Sequence, residues 1–146
     1  MSFGTVAIIG LGLLGGSVGL ATQEFLPAIR TTGFDADPQV RRRAAERGLV
    51  HDVCETAADA VRAADLVIFC VPPGAMAEVL PDHTVIPAHP VAGTENSGPD
   101  AGFSHLFRNR WCIVTPPEPV DLLKLSALVE YWEALGANVE IMDAEH

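Results

Sequence analysis

A buried strand that runs straight into a helix through three glycines is the strongest constraint in this chain. Val6-Ala7-Ile8-Ile9 is apolar at every position, as a central parallel strand must be when both of its faces are covered. It leads into Gly10-Leu11-Gly12-Leu13-Leu14-Gly15, and a helix is predicted from about Leu14 to Phe25, stopped by Pro27. Strand, tight turn and helix in that order make the first half of a βαβ unit. Each glycine serves a separate need: Gly10 allows the tight turn, Gly12 lets the backbone come close to a bound group, and Gly15 lets the helix pack tightly on the strand. The first N–H groups of such a helix have no partner within it, so they would face an anion such as a pyrophosphate.

The rest of the chain repeats the alternation. A second strand is predicted over about Arg30 to Phe34, followed by Asp37-Pro38 as a helix N-cap with proline at the first helical position and by Gly48 at the C-cap. Thr56-Ala57-Ala58-Asp59 resembles a capping box opening a helix to Ala64, and Leu66 to Val71 is the clearest strand, ended by Pro72-Pro73. Further strands are expected at Thr84 to Ala88, Cys112 to Thr115 and Val139 to Met142, with Asp121 capping a long helix that stops at Gly136. Apolar strands alternating with helices indicate the α/β class: a Rossmann-type, doubly wound, mostly parallel sheet with helices on both faces. With 146 residues, 49% of them hydrophobic, the expectation is one domain with a real core.

The glycine fingerprint with its strand and helix context points to a dinucleotide. Asp35 lies twenty residues past Gly15, at the end of the second strand, where a carboxylate can accept hydrogen bonds from both ribose hydroxyls and repel a 2′-phosphate; this favours NAD over NADP. Asp37 is a weaker ribose candidate because it already caps a helix. Arg41-Arg42-Arg43 could reach a 2′-phosphate and keep NADP possible, but a solvated basic face is the simpler expectation.

Charge narrows the partners. Nineteen acidic against nine basic residues give a formal net charge of -10, which repels nucleic acid and anionic membrane surfaces. No stretch is apolar and long enough to span a bilayer, and the apolar run Val6 to Leu20 lacks the basic flank and cleavage site of a signal peptide. Cys54, Cys70 and Cys112 are odd in number and have no CxxC spacing, so neither a disulfide framework nor a metal site is expected, and a reducing, cytoplasmic setting fits. His51, His83, His105 and His146 read as surface residues without a visible partner.

His89 is different. It closes a strand, is followed by Pro90, and precedes the polar segment Gly93-Thr94-Glu95-Asn96-Ser97-Gly98, which would lie at the carboxyl edge of the sheet where open α/β folds hold ligands. An imidazole there could take a hydroxyl proton while hydride leaves the same carbon. It could equally be a histidine that satisfies loop backbone groups, and position alone leaves both open.

Together Gly10-x-Gly12-x-x-Gly15-Gly16-Ser17, Gly33-Phe34-Asp35, the run Asp65 to Pro73, His89-Pro90-Val91-Ala92-Gly93-Thr94-Glu95 with Ser97-Gly98, Phe107 to Trp111, Thr115-Pro116-Pro117 and Trp132 to Ala137 resemble the prephenate/arogenate dehydrogenase family of tyrosine biosynthesis over nearly the whole chain. The resemblance implies a cofactor, NAD or NADP, held by Gly10, Gly12, Leu13, Leu14, Gly15, Asp35, Val71 and Pro72. It implies His89 as the base, Thr94 and Glu95 as substrate-binding residues, and oxidative decarboxylation of prephenate or arogenate. Against the family pattern, the chain passes from Leu80 through Pro81-Asp82-His83 directly to the strand before His89. About one βαβ unit, roughly 30 residues, including a serine that would bond the histidine, has no counterpart. The helical domain that follows in the family, with most of its homodimer interface, has none either. The resemblance therefore allows an alternative: an NAD-binding fragment of that family without activity.

Overall fold

A computed structural model describes residues 3–70, 86, 88–91 and 97–142. The element order is β1 (Thr5–Ile9), α1 (Leu13–Phe25), β2 (Arg30–Phe34), α2 (Pro38–Arg47), β3 (Asp52–Val53), α3 (Ala57–Val61), β4 (Leu66–Phe69), β5 (Ala88–Pro90), β6 (Trp111–Val114), α4 (Leu122–Ala134) and β7 (Asn138–Ile141). One sheet has the order β3-β2-β1-β4 and is parallel throughout, with Val6 to Ile9 between Thr31 to Phe34 on one side and Leu66 to Phe69 on the other. Val6, Ala7 and Ile8 are fully buried, as an all-apolar central strand requires. A second sheet has the order β5-β6-β7. The α/β architecture expected from the sequence is therefore present.

The predicted caps form. Asp37 accepts the Gln39 N–H at 2.9 Å, Thr56 the Asp59 N–H at 3.1 Å and Asp121 the Leu123 N–H at 2.9 Å, while Gly48 ends α2 in the left-handed conformation. Other bounds move. α3 ends at Val61 and not at Ala64, because Asp65 is pinned to the start of β1: its Oδ2 accepts the Gly4 and Thr5 N–H groups at 2.7 and 3.0 Å. The strand expected at 84–88 is described only over Ala88–Pro90, and it runs antiparallel to β6; a proline, lacking an N–H, is compatible with such an edge strand. The two-residue β3 has no periodicity to read and goes unpredicted.

One hydrophobic cluster spans both sheets, joining Val6 and Ile8 to Cys112, Val114 and Tyr131. α1 packs on β1 and β2 of the first sheet. Its buried Thr22 shares a 2.5 Å hydrogen bond with the Tyr131 hydroxyl of α4, which offsets the desolvation of both groups. Phe107 and Trp132 meet edge to face, 5.3 Å between centroids. Exposed apolar side chains remain on the outer side of the second sheet, Trp111 at 53% among them.

The pinned aspartate has a pH consequence. The Gly4 and Thr5 N–H groups hold the Asp65 carboxyl below its ordinary range. Its folded pKa is depressed, so its contribution is present above the unfolded value and lost as pH falls through the folded one. Melting temperatures followed from pH 6 to 3 are expected to fall less steeply in Asp65→Asn than in the parent; parallel curves would exclude the effect.

Candidate functional site

The site grows from the β1–α1 turn. Gly10 has φ +99°, a conformation that costs a side-chain-bearing residue dearly, and its N–H donates to the Phe34 carbonyl at 2.8 Å. Gly15 lies so close that a Cβ there would stand 1.7 Å from the Gly10 carbonyl oxygen. Gly12 is the reverse case. It occupies the N-cap of α1 without a side-chain capping bond, and a Cβ there would meet nothing within 4 Å among the described residues. No acidic side chain occupies the first turn. An uncapped helix start, Leu13 and Leu14 included, reached through a glycine that opens onto free space, is chemically fitted to a phosphate group.

Asp35 is built into this turn. Its Oδ2 accepts the Leu11 N–H at 2.9 Å and its Oδ1 the Asp37 N–H at 3.0 Å, so the carboxylate is oriented before any ligand arrives and each oxygen keeps further acceptor capacity. The basic triplet does not behave as one solvated face. Arg42 is exposed as expected, but Arg41 turns back to the end of β2, donating to the Asp35 carbonyl at 2.8 Å with its guanidinium 5.6 Å from the centre of the Phe34 ring. Arg43 pairs with Asp100 and, at 3.0 Å, with Glu46. A helix places residues two apart on different sides, which divides the triplet.

His89 lies within β5, one residue before its end, opposite Ile113 of β6. Cys112 and Val114 are buried on one face of β6, whereas His89 is exposed and shares the other face with Ile113 and Glu140 by register. Val71, Pro72, Thr94 and Glu95 lie outside the described residues, as do His83 and His146. His51 and His105 are exposed but partnered: His51 Nδ1 accepts the Thr31 N–H at 2.9 Å, and His105 meets Glu24 at 3.2 Å. The Ser104 hydroxyl, and secondarily His105, holds the Glu24 carboxyl below its usual range. Among the described residues no cluster could hold a metal. All three cysteines are free, and burial pushes the Cys70 and Cys112 thiols up to about 12, which keeps both unreactive. No described helix is long and apolar enough to cross a membrane.

Sequence reasoning passed over one group of residues. Arg47 on α2 donates to the Pro99 and Gly102 carbonyls at 2.7 and 3.1 Å, and the buried Ser17 hydroxyl of α1 accepts the Phe103 N–H at 3.0 Å. The only cue in the sequence is the Gly98-Pro99 to Gly102 spacing, which announces a turn but not what it touches.

Comparison with known proteins agrees with this geometry. The family model described as the nucleotide-binding domain of prephenate dehydrogenase matches residues 18–84 and 75–141, two pieces that share 75–84. A cyclohexadienyl dehydrogenase of Zymomonas mobilis is 37% identical over an alignment of 175 residues, covering 99% of this chain and 60% of that protein. A prephenate dehydrogenase of Bacillus subtilis is 26% identical, covering 97% of this chain and 47% of that protein. The crystal structure of prephenate dehydrogenase from A. aeolicus, in complex with hydroxyphenyl propionate and NAD+, has the same fold, with a TM-score of 0.89 at 24% identity over 99% of this chain and 62% of that one. The chain thus spans about half to three-fifths of the length of these curated relatives. With a strand, glycine turn, uncapped helix and strand-end aspartate in place and most of its length matched by the family model, the chain belongs to the prephenate dehydrogenase family, as its nucleotide-binding domain.

Proposed function

We propose that this chain binds NAD at the β1–α1 turn and supplies the proton-accepting side of an oxidative decarboxylation of prephenate or arogenate. The observation that carries the cofactor assignment is the Asp35 carboxylate tied to the Leu11 N–H beside an uncapped α1. Gly10, Gly12, Leu13, Leu14 and Gly15 would hold the pyrophosphate and Asp35 the adenine-side ribose, with Val71 and Pro72 completing the cleft. When bound, the nicotinamide supplies a hydride acceptor. His89 takes the proton from the substrate hydroxyl, which raises electron density on the carbon that gives up hydride, and loss of carbon dioxide then makes the ring aromatic. Thr94 and Glu95 would bind the substrate side chain. The NAD+ complex of the A. aeolicus relative supports the cofactor assignment, and three free cysteines fit a cytoplasmic place for it.

The activity is proposed for a protein carrying the further residues its relatives have. An alignment of 175 positions against 146 residues and a family match in two overlapping pieces support an internal gap near residue 80. The same observations favour a second outcome, an NAD-binding chain without turnover. Titration of the 146-residue chain with NAD, followed by absorbance at 340 nm with prephenate and with arogenate in that chain and in a protein completed with the residues its relatives carry, separates them. NADH formation supports the enzyme, binding without NADH supports the inactive chain, and no NAD binding removes both.

Cofactor choice has its own test. A carboxylate in the ribose pocket favours a free 2′-hydroxyl, and Arg41 is already engaged by the β2 end. Asp35→Asn is expected to shrink the preference for NAD over NADP by about tenfold or more, the scale of one charge-assisted hydrogen bond. Equal ratios of the two Kd values in parent and variant would exclude Asp35 as the selector.

A further inference from the structure

The stretch that follows the His89 segment is fastened to the two helices that frame the nucleotide turn. Gly98, with φ +85°, opens a turn closed by the Ala101 N–H on the Gly98 carbonyl at 3.2 Å. One guanidinium nitrogen of Arg47, on α2, holds the Pro99 and Gly102 carbonyls together, and Arg43 of the same helix pairs with Asp100. On the α1 side, Gly102 lies so near that a Cβ would stand 3.2 Å from the Gly16 carbonyl carbon and the Ser17 nitrogen. Ser17 takes the Phe103 N–H, and about two turns further along α1 His105 meets Glu24 and stacks edge-on against Phe25, 5.4 Å between centroids.

The contacts on α1 begin at Gly16 and Ser17, directly after Gly15. A phosphate bound at the first turn of α1 suppresses fraying of that turn, and local stabilisation spreads to groups that must open with it. The Phe103 N–H reports on the contact next to that turn, because it exchanges only when it leaves the Ser17 hydroxyl.

We propose that residues 98–103 are a strut between α1 and α2 that tightens when a nucleotide docks at Gly10–Gly15, and that Arg47 is the positioning residue that holds the strut. The proposal rests on the function proposed above. Arg47 acts through the Pro99 and Gly102 carbonyls and has no part in proton or hydride transfer.

The test uses the 146-residue chain with Arg47→Ala, Arg47→Lys and Ser17→Ala, and with Arg62→Ala as a control whose exposed partner is Asp59. Hydrogen exchange of the Phe103 amide is measured with and without NAD, alongside the Kd for NAD. NAD is expected to slow Phe103 exchange by about tenfold in the parent and in Arg62→Ala. In Arg47→Ala that response should vanish while the Kd stays within about threefold, and Arg47→Lys should recover part of it. Ser17→Ala, which keeps the buried volume, should lose the protection even if Arg47→Ala folds poorly. NAD binding with an unchanged NAD response at Phe103 in Arg47→Ala and Ser17→Ala overturns the strut and leaves the function standing. Failure of the parent to bind NAD overturns the function and with it the coupling.

Discussion

Gly15→Ala is expected to abolish NAD binding and to lower the melting temperature of the domain by several degrees. The added Cβ would stand 1.7 Å from the Gly10 carbonyl oxygen, 2.9 Å from its carbon and 3.2 Å from Ile8 Cγ2. Two of these neighbours are backbone, so relief requires α1 to move away from β1. Overpacking of this kind costs about 1–3 kcal/mol, and for a domain of this size each kcal/mol shifts Tm by roughly 4 °C. Moving α1 also displaces the N–H groups meant for the phosphates. Gly12→Ala separates the two effects. Its Cβ meets nothing within 4 Å among the described residues, so the fold should keep its Tm while the methyl group occupies the space through which a pyrophosphate approaches, weakening NAD by about tenfold or more. Thermal melts with NAD titrations check both variants. Parent-like NAD affinity in Gly15→Ala would remove this turn as the nucleotide site.

His89→Asn is expected to cut turnover by about 10²- to 10⁴-fold, the usual worth of a positioned general base, with the Kd for NAD unchanged. The exchange keeps a polar side chain of similar reach but removes the basic nitrogen. Because His89 is exposed on the outer face of β5, little packing is lost, and surface exchanges of this kind usually stay within about 0.5 kcal/mol. Loss of rate would then not be loss of fold. The measurement is prephenate-dependent NADH formation at 340 nm in a protein completed with the residues its relatives carry, beside an NAD titration. Unchanged kcat removes His89 as the base, whereas loss of NAD binding would place it in the cofactor pocket.

Legibility followed the range of the interactions. β1, its glycine turn, β2, α2 with its Asp37 and Gly48 caps, and the Asp121 cap of α4 could be read directly, because each depends on side chains within a few positions of one another. Asp35 could be read too, since its spacing from the glycines reflects the length of one strand–helix–strand passage. The direction of β5 could not: antiparallel pairing of Ala88–Pro90 with Cys112–Val114 joins segments more than twenty residues apart. Nor could the end of α3, which Asp65 sets through Gly4 and Thr5.

The sequence by itself determined that an apolar strand enters a glycine turn and a helix, that Asp35 follows at the next strand end, and that His89 stands at a strand terminus before a polar segment. Periodicity, caps and φ preferences are local properties, and they survive in the bare chain. The tertiary structure alone decided that Asp35 takes the Leu11 N–H, that Arg41 and Arg43 part company, that His51 is bound to Thr31, and that Arg47 and Ser17 clamp the stretch after His89. Each of those joins groups distant in sequence, and such pairs form only once burial of the shared core has brought their elements together.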